Sequence, residues 1–135
     1  MDDIYRYAMQ EQIAALEEEL QEIERLLQQH EHMPTLLYRA LERCMQLLIE
    51  ACIGIAKQTL KGQNQHVPSE ARQVLEKLKA EGLDSSGIPW RQVIGMRNAI
   101  VHDYLNLDRD LVADVIRQGH YKALLAFAKE KLTAP

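Results

Sequence analysis

Apolar residues at Ile13, Leu16, Leu20, Ile23 and Leu27 recur at steps of three and four, the period of a helix with one buried face. The pattern predicts a first helix over about residues 2–30, ended where Gln-Gln-His-Glu-His-Met runs into Pro34, because the residue before a proline avoids helical dihedrals. A second helix is predicted from about Thr35 to Lys61, with Leu37, Leu41, Cys44, Leu48, Cys52 and Ile55 on one side. Leu47, Ile49 and Ile53 widen that surface, so the helix must be buried against several neighbours. Gly54 within it costs roughly 1 kcal/mol relative to Ala and points to a close helix crossing, while Gly62 suits the C-terminal cap. After a polar connector at 63–67, Pro68 suits the first turn of a short third helix that carries Val74, Leu75 and Leu78 and stops at Gly82. A loop from Asp84 to Pro89 leads to a fourth helix from about Trp90, with Val93, Ile94, Ile100 and Val101 as its apolar positions. Asp108 caps a fifth helix that runs through about Gln118 and ends at Gly119, and a last helix follows from about His120 to Leu132.

Strand-like alternation, internal repeats and low-complexity segments are absent from the sequence. The expected fold is all-α, an up-down four-helix bundle with one or two short additional helices, and residues 1–135 form a single domain. The composition agrees: 47% hydrophobic and 27% charged residues exclude wholesale disorder, and six Gly with four Pro are too few for a turn-rich sandwich or barrel. No run of about 18 apolar residues offers a membrane span, and the N-terminus MDDIYRYAMQ lacks an apolar signal core, so a cytoplasmic protein is expected. Cys44 and Cys52 stand eight residues apart on one predicted helix, roughly 12 Å along its axis, too far for a disulfide; two buried thiols are expected.

Charge is unevenly spread. Residues 1–31 hold nine acids and two bases, a balance of −7, whereas the remaining chain holds 14 bases and 11 acids, a balance of +3. An acidic first helix is therefore joined to a mildly basic body, within a formal net charge of −4. None of the five histidines has the i, i+4 spacing of a helical metal pair, and neither a Gly-rich phosphate loop nor a nucleophile elbow occurs, so no metal or cofactor is expected. Trp90 reads as a packing anchor, and Met33, Met45 and Met96 as gap-fillers.

The segment from Trp90 to Tyr104 is the densest in chemistry. Arg97, Asn98, His102, Asp103 and Tyr104 bring a permanent cation, an amide, an imidazole, a carboxylate and a phenol within eight residues. On a helix Arg97 and Tyr104 share one face, Asn98 and His102 another, and Arg97 and His102 point about 140° apart. For both to act on one atom the arginine must bend round, the helix must loosen near His102, or a second chain must contribute.

The stretch RNAIVHDY resembles the R-x4-H-x-Y signature of HEPN-domain proteins, and in particular the HepT-like toxins of HEPN/MNT toxin–antitoxin pairs; Arg97, His102 and Tyr104 match it position by position. Residues 39–56 are similar to the second helix of that family in their Arg, Gln and Glu spacing, with Gly54 standing where many relatives carry Asp. The resemblance implies a metal-independent endoribonuclease, active as a homodimer whose two signature segments build one cleft. It assigns catalysis to Arg97 and His102, positioning of the RNA substrate to Asn98 and Tyr104, and to Tyr104 also AMPylation by a minimal nucleotidyltransferase antitoxin that switches the nuclease off. The alternative is a non-catalytic helical dimer that binds nucleotide or substrate for such a nucleotidyltransferase. Arg91, Arg97, Arg109, Arg117 and Lys122 are the bases nearest the motif in sequence and the expected positive lining of the cleft.

Overall fold

In the computed structural model, which describes residues 1–102 and 108–134, six helices follow one another: α1 (Asp3–Gln28), α2 (Thr35–Gly62), α3 (Ala71–Ala80), α4 (Trp90–His102), α5 (Arg109–Arg117) and α6 (Tyr121–Thr133). The described residues contain no strand, and the architecture is the expected all-α bundle, with α1, α2, α4 and α6 as its main helices and α3 and α5 as the short ones. Tyr104, Asp103 and the three residues after them lie outside the described residues.

Helix boundaries follow local chemistry. The Asp2 carboxylate accepts from the amides of Ile4 and Tyr5 to open α1, and Asp108 does the same for α5 through Asp110 and Leu111, each satisfying donors that the first turn leaves over. Gly82 and Gly119 take positive φ just past α3 and α5, where a side chain would be strained. Two expectations shift. Gly62 is the last residue of α2, with Gln63 in the cap position and Asn64 turning through positive φ. α3 starts at Ala71 and not at Pro68, because Glu70 is extended and the preceding connector is held to the domain by Lys77 Nζ donating to the His66 carbonyl at 2.6 Å and by half-buried Val67 packing on the core.

α2 occupies the centre and touches every other helix. That explains the breadth of its apolar surface: Leu41, Leu48, Ile49, Cys52, Ile55, Ala56 and Leu60 are fully enclosed. Leu37 and Leu47, at the edges of that surface, are only half-buried. All five stripe positions of α1, from Ile13 to Leu27, are buried, as are Val74, Leu75 and Leu78 of α3. α1 runs antiparallel to α6, since Glu24 pairs with Lys122, Glu17 with Lys129, and Arg6 reaches the carbonyls of Leu132 and Ala134. Gly54 sits where α1 meets α2: a Cβ there would stand 3.2 Å from the Tyr5 hydroxyl, the close approach its presence suggested.

Cys44 and Cys52 are both buried and unpaired to each other. Burial, helped by the neighbouring Glu19 carboxylate, pushes the Cys44 thiol up to about 12, and burial alone pushes Cys52 up as well, so both are inert at neutral pH. Trp90 is a packing anchor: its ring meets Phe127 edge-on at 4.8 Å and its Nε1 donates to Asp84 at 2.8 Å. None of the helices is long and apolar enough to cross a membrane among the described residues.

Candidate active site

The 3.6-residue period of α4 divides its chemistry between two faces. Trp90, Ile94 and Ile100 turn into the core, and Arg97 lies on that inward-facing half, partly buried. Arg91, Gly95, Asn98 and His102 form the opposite stripe and are all exposed, with Val101 at the margin, 37% exposed where its apolar character predicted burial. α4 is helical through His102, so the divergence of Arg97 and His102 is not relieved by a loosened last turn. A single chain thus does not bring the two together in one cavity.

Arg97 borders an open cavity of about 310 Å³ with Glu50, Ile53, Gly54 and Lys57 of α2 and with Ser69 and Ala71 at the start of α3. Its Nε is enclosed and has no hydrogen-bond partner among the described residues. An enclosed donor left unpaired costs on the order of 1–3 kcal/mol, more when charged, so this arginine is not placed for stability. The surroundings favour an anion. Lys57 adds a second cation, and α3 opens without a side-chain cap, leaving its first amides and the positive end of its dipole at the cavity wall. The acid present, Glu50, accepts from Gln46 Nε2 at 3.2 Å.

A second open cavity, of about 380 Å³, lies one helical turn along α4, where Ile100 meets Arg39, Glu42, Arg43 and Gln46 of α2. Sequence reasoning did not select Arg39, Arg43 or Lys57 as site residues. The bases it did select near the motif are largely committed elsewhere: Arg109 stacks over the Tyr38 ring at 4.7 Å, Arg117 pairs with Asp114 at 3.7 Å, and Lys122 pairs with Glu24 at 3.9 Å. The signal that would have found the α2 bases is their spacing, since positions 39, 43, 46, 50, 53 and 57 advance by alternating steps of four and three along one stripe.

No cluster of three or more His, Cys, Asp or Glu side chains suited to a metal ion occurs among the described residues. A third cavity, of about 300 Å³, is mainly apolar, walled by Met45, Ile49, Val93, Met96 and Leu124 beside the Ser86–Pro89 loop.

Comparison with known proteins shows the family and the fold. The sequence profile described as "Ribonuclease HepT-like" matches residues 9–130. A curated protein of Shewanella oneidensis, named mRNA nuclease HepT, is 32% identical over 79 residues, which span 57% of this chain and 56% of that protein; the match therefore reaches only about half the length of the relative. Among solved structures, a toxin–antitoxin crystal structure with AMP-PNP superposes with a TM-score of 0.74 at 24% identity, covering 96% of this chain and 98% of the other, which shows a shared fold.

Proposed function

The chain belongs to the HepT-like ribonuclease family, and from that premise we propose that it is the toxin of a type VII HEPN/MNT toxin–antitoxin pair, a metal-independent endoribonuclease that works as a homodimer. The observation that carries this reading is Arg97, whose enclosed, unpartnered Nε borders a cavity that Lys57 and the start of α3 make favourable for phosphate.

RNA carries its own nucleophile in the ribose 2′-hydroxyl, so the protein must supply a base for that proton, an acid for the departing 5′-oxygen and positive charge for the phosphorane. Arg97 holds the non-bridging oxygens through its planar fork of donors. His102 exchanges the protons, an imidazole being the side chain that changes charge near neutrality. Asn98, on the outer stripe with His102, orients the phosphate or the imidazole. The 2′-oxygen bonds to phosphorus as the 5′-oxygen leaves with a proton, giving a 2′,3′-cyclic phosphate and a 5′-hydroxyl end. Because Arg97 and His102 diverge on one helix, we assign the α4 stripe Arg91–Gly95–Asn98–His102 to the second copy. Gly95 leaves open space there, with no atom within 4 Å of a Cβ position. One copy then offers His102 to the other's Arg97.

Tyr104 is the regulatory residue in this reading. A phenol with its ordinary pKa near 10 is a poor base at neutral pH, which favours positioning and modification over proton abstraction. A nucleotidyltransferase partner transfers AMP to it: the Tyr104 oxygen bonds to the α-phosphorus of ATP and pyrophosphate leaves. The added bulk and negative charge then oppose an RNA phosphate in the same cleft.

Incubating the purified protein with RNA in EDTA and identifying the ends produced tests the nuclease reading. Cleavage with cyclic-phosphate ends, lost in His102→Ala, is expected; RNA that stays intact, or equal cutting by His102→Ala, rejects it in favour of a non-catalytic nucleotide- or substrate-binding dimer. Intact mass after incubation with the nucleotidyltransferase and ATP tests the regulation: added AMP on wild type and none on Tyr104→Phe is expected, and equal addition to both rejects Tyr104 as the acceptor.

A further inference from the structure

The chain's 16 basic side chains fall into two groups. Most are committed: Arg25, Arg72, Arg117, Lys122 and Lys129 form ion pairs, Arg6, Lys77 and Lys131 donate to backbone carbonyls, and Arg109 stacks on Tyr38. Seven have no such partner among the described residues; four of them, Arg39, Arg43, Lys57 and Arg97, border the two open cavities between α2 and α4, and Lys61, Lys79 and Arg91 border neither. The larger share of the unengaged positive charge thus borders these two neighbouring cavities, which form a groove between α2 and α4. Arg39, Arg43, Gln46, Glu50, Ile53 and Lys57 lie on one stripe of α2, about 27 Å from first to last at 1.5 Å per residue. The acids at the groove are partly engaged as well. Glu50 accepts from Gln46, and Glu42 is half-buried.

We propose that this stripe of α2 is a track for the backbone of a single RNA strand, in which Arg39 and Arg43 hold phosphates flanking the one at Arg97. The inference rests on the ribonuclease reading for the identity of the strand and adds binding residues that the R-x4-H-x-Y signature does not contain. Three features of the groove favour a strand over a small anion. The two cavities line up along one helix, Ile100 gives an apolar surface beside the Arg39–Arg43 pair for a base to lie on, and Arg39 and Arg43 stand one turn apart so that both reach one groove. The low intrinsic affinity expected of an acidic protein for RNA is overcome locally, where the guanidinium groups are unpaired.

A 2′-O-methyl oligoribonucleotide, which lacks the nucleophile and stays intact, is the probe. Its binding to wild type, Arg39→Gln/Arg43→Gln and the off-track control Arg25→Gln/Arg72→Gln is measured across a salt series. Loss of two phosphate contacts lowers the slope of log K against log salt by about 1.4, from roughly 0.7 per contact on a single strand, and weakens binding roughly tenfold at low salt. The control pair removes the same charge and should leave both quantities at their wild-type values. Equal effects from the two pairs, no effect from either, or no binding by wild type overturns the track. Cleavage of unmodified RNA separates this failure from that of the parent reading. His102-dependent cutting with an unchanged KM in Arg39→Gln/Arg43→Gln leaves the nuclease standing and removes the track, whereas the absence of any cutting removes the nuclease itself. All four substituted arginines are exposed, so unchanged thermal melting is expected and checks the fold of each variant.

Discussion

Helix α1 and the α2–α4 groove are built from the same kinds of side chain and use them in opposite ways. On α1 four of the seven acids are tied down: Glu17 to Lys129 at 2.6 Å, Glu24 to Lys122, Glu22 to Arg25, and Glu19 to the Cys44 thiol. The pairs of Glu17 and Glu24 join α1 to α6 and the Glu19 contact joins it to α2, while Glu22–Arg25 stays within α1. In the groove the bases stand without partners among the described residues, and one donor, Arg97 Nε, is enclosed with nothing to bond. Charge that joins helices is compensated within the chain. Charge in the groove is not, and the fold bears the cost locally.

Arg97→Met gives the sharpest test of that contrast. Loss of a preorganised cation at a developing phosphorane is expected to lower RNA cleavage by about 10²- to 10³-fold. The same change removes an enclosed, unsatisfied donor, so the melting temperature should hold or rise by a few degrees, on the order expected for about 1 kcal/mol. A large fall in melting temperature would make Arg97 a structural residue and dissolve the contrast. The reciprocal experiment is Glu17→Gln/Glu24→Gln. Lys129 and Lys122 are well exposed at the far ends of these pairs, so screening limits the loss to under about 1 kcal/mol in all, and RNA cleavage should be unchanged. Higher RNA affinity in this variant would mean instead that the acidic helix repels substrate.

The two regions also differed in how far sequence could reach them. The α1 stripe repeats within one helix, and its five apolar positions are the five buried ones. The motif residues Arg97 and His102 were legible by type and spacing, and their divergence by helical geometry. The α2 bases were not. Arg39 and Arg43 are exposed and Lys57 half-buried on the polar stripe of an otherwise apolar helix, which by itself reads as a solvated face. Only packing of α4, which follows after α3 and two connectors, turns that face into the wall of a groove. Proximity in sequence misled in the other direction, since Arg109, Arg117 and Lys122 follow the motif closely but are engaged by Tyr38, Asp114 and Glu24. The start of α3 failed for a related reason: Pro68 fits a helical first turn locally, but the tether from Lys77 to His66 keeps the connector extended.

The smallest effect separates satisfied from unsatisfied polar groups at the entrance to α4 itself. Burial tends to raise the Asp84 carboxyl, but the hydroxyl and amide of Ser86, the indole of Trp90 and the charge of Lys131 outweigh it and hold it below the usual carboxylate range. A carboxyl depressed on folding contributes stability above its unfolded pKa and loses it as pH falls through the folded value. Asp84 is only half-buried, so screening keeps the contribution to at most about 1 kcal/mol. Asp84→Asn should therefore melt slightly below wild type at neutral pH, and the two curves should converge as pH drops below about 4, the ordinary range of the group. A gap that persists in acid would show that shape, and not charge, anchors Trp90. Because Trp90 opens α4 seven residues before Arg97, the same pair of proteins also reads whether the satisfied end of the helix sets the geometry of the unsatisfied one. If it does, Asp84→Asn lowers cleavage at neutral pH while leaving binding to the α2 stripe intact; if the two proteins cleave alike, packing of α4 against α2 and α3 positions Arg97 without help from the Asp84–Trp90 bond.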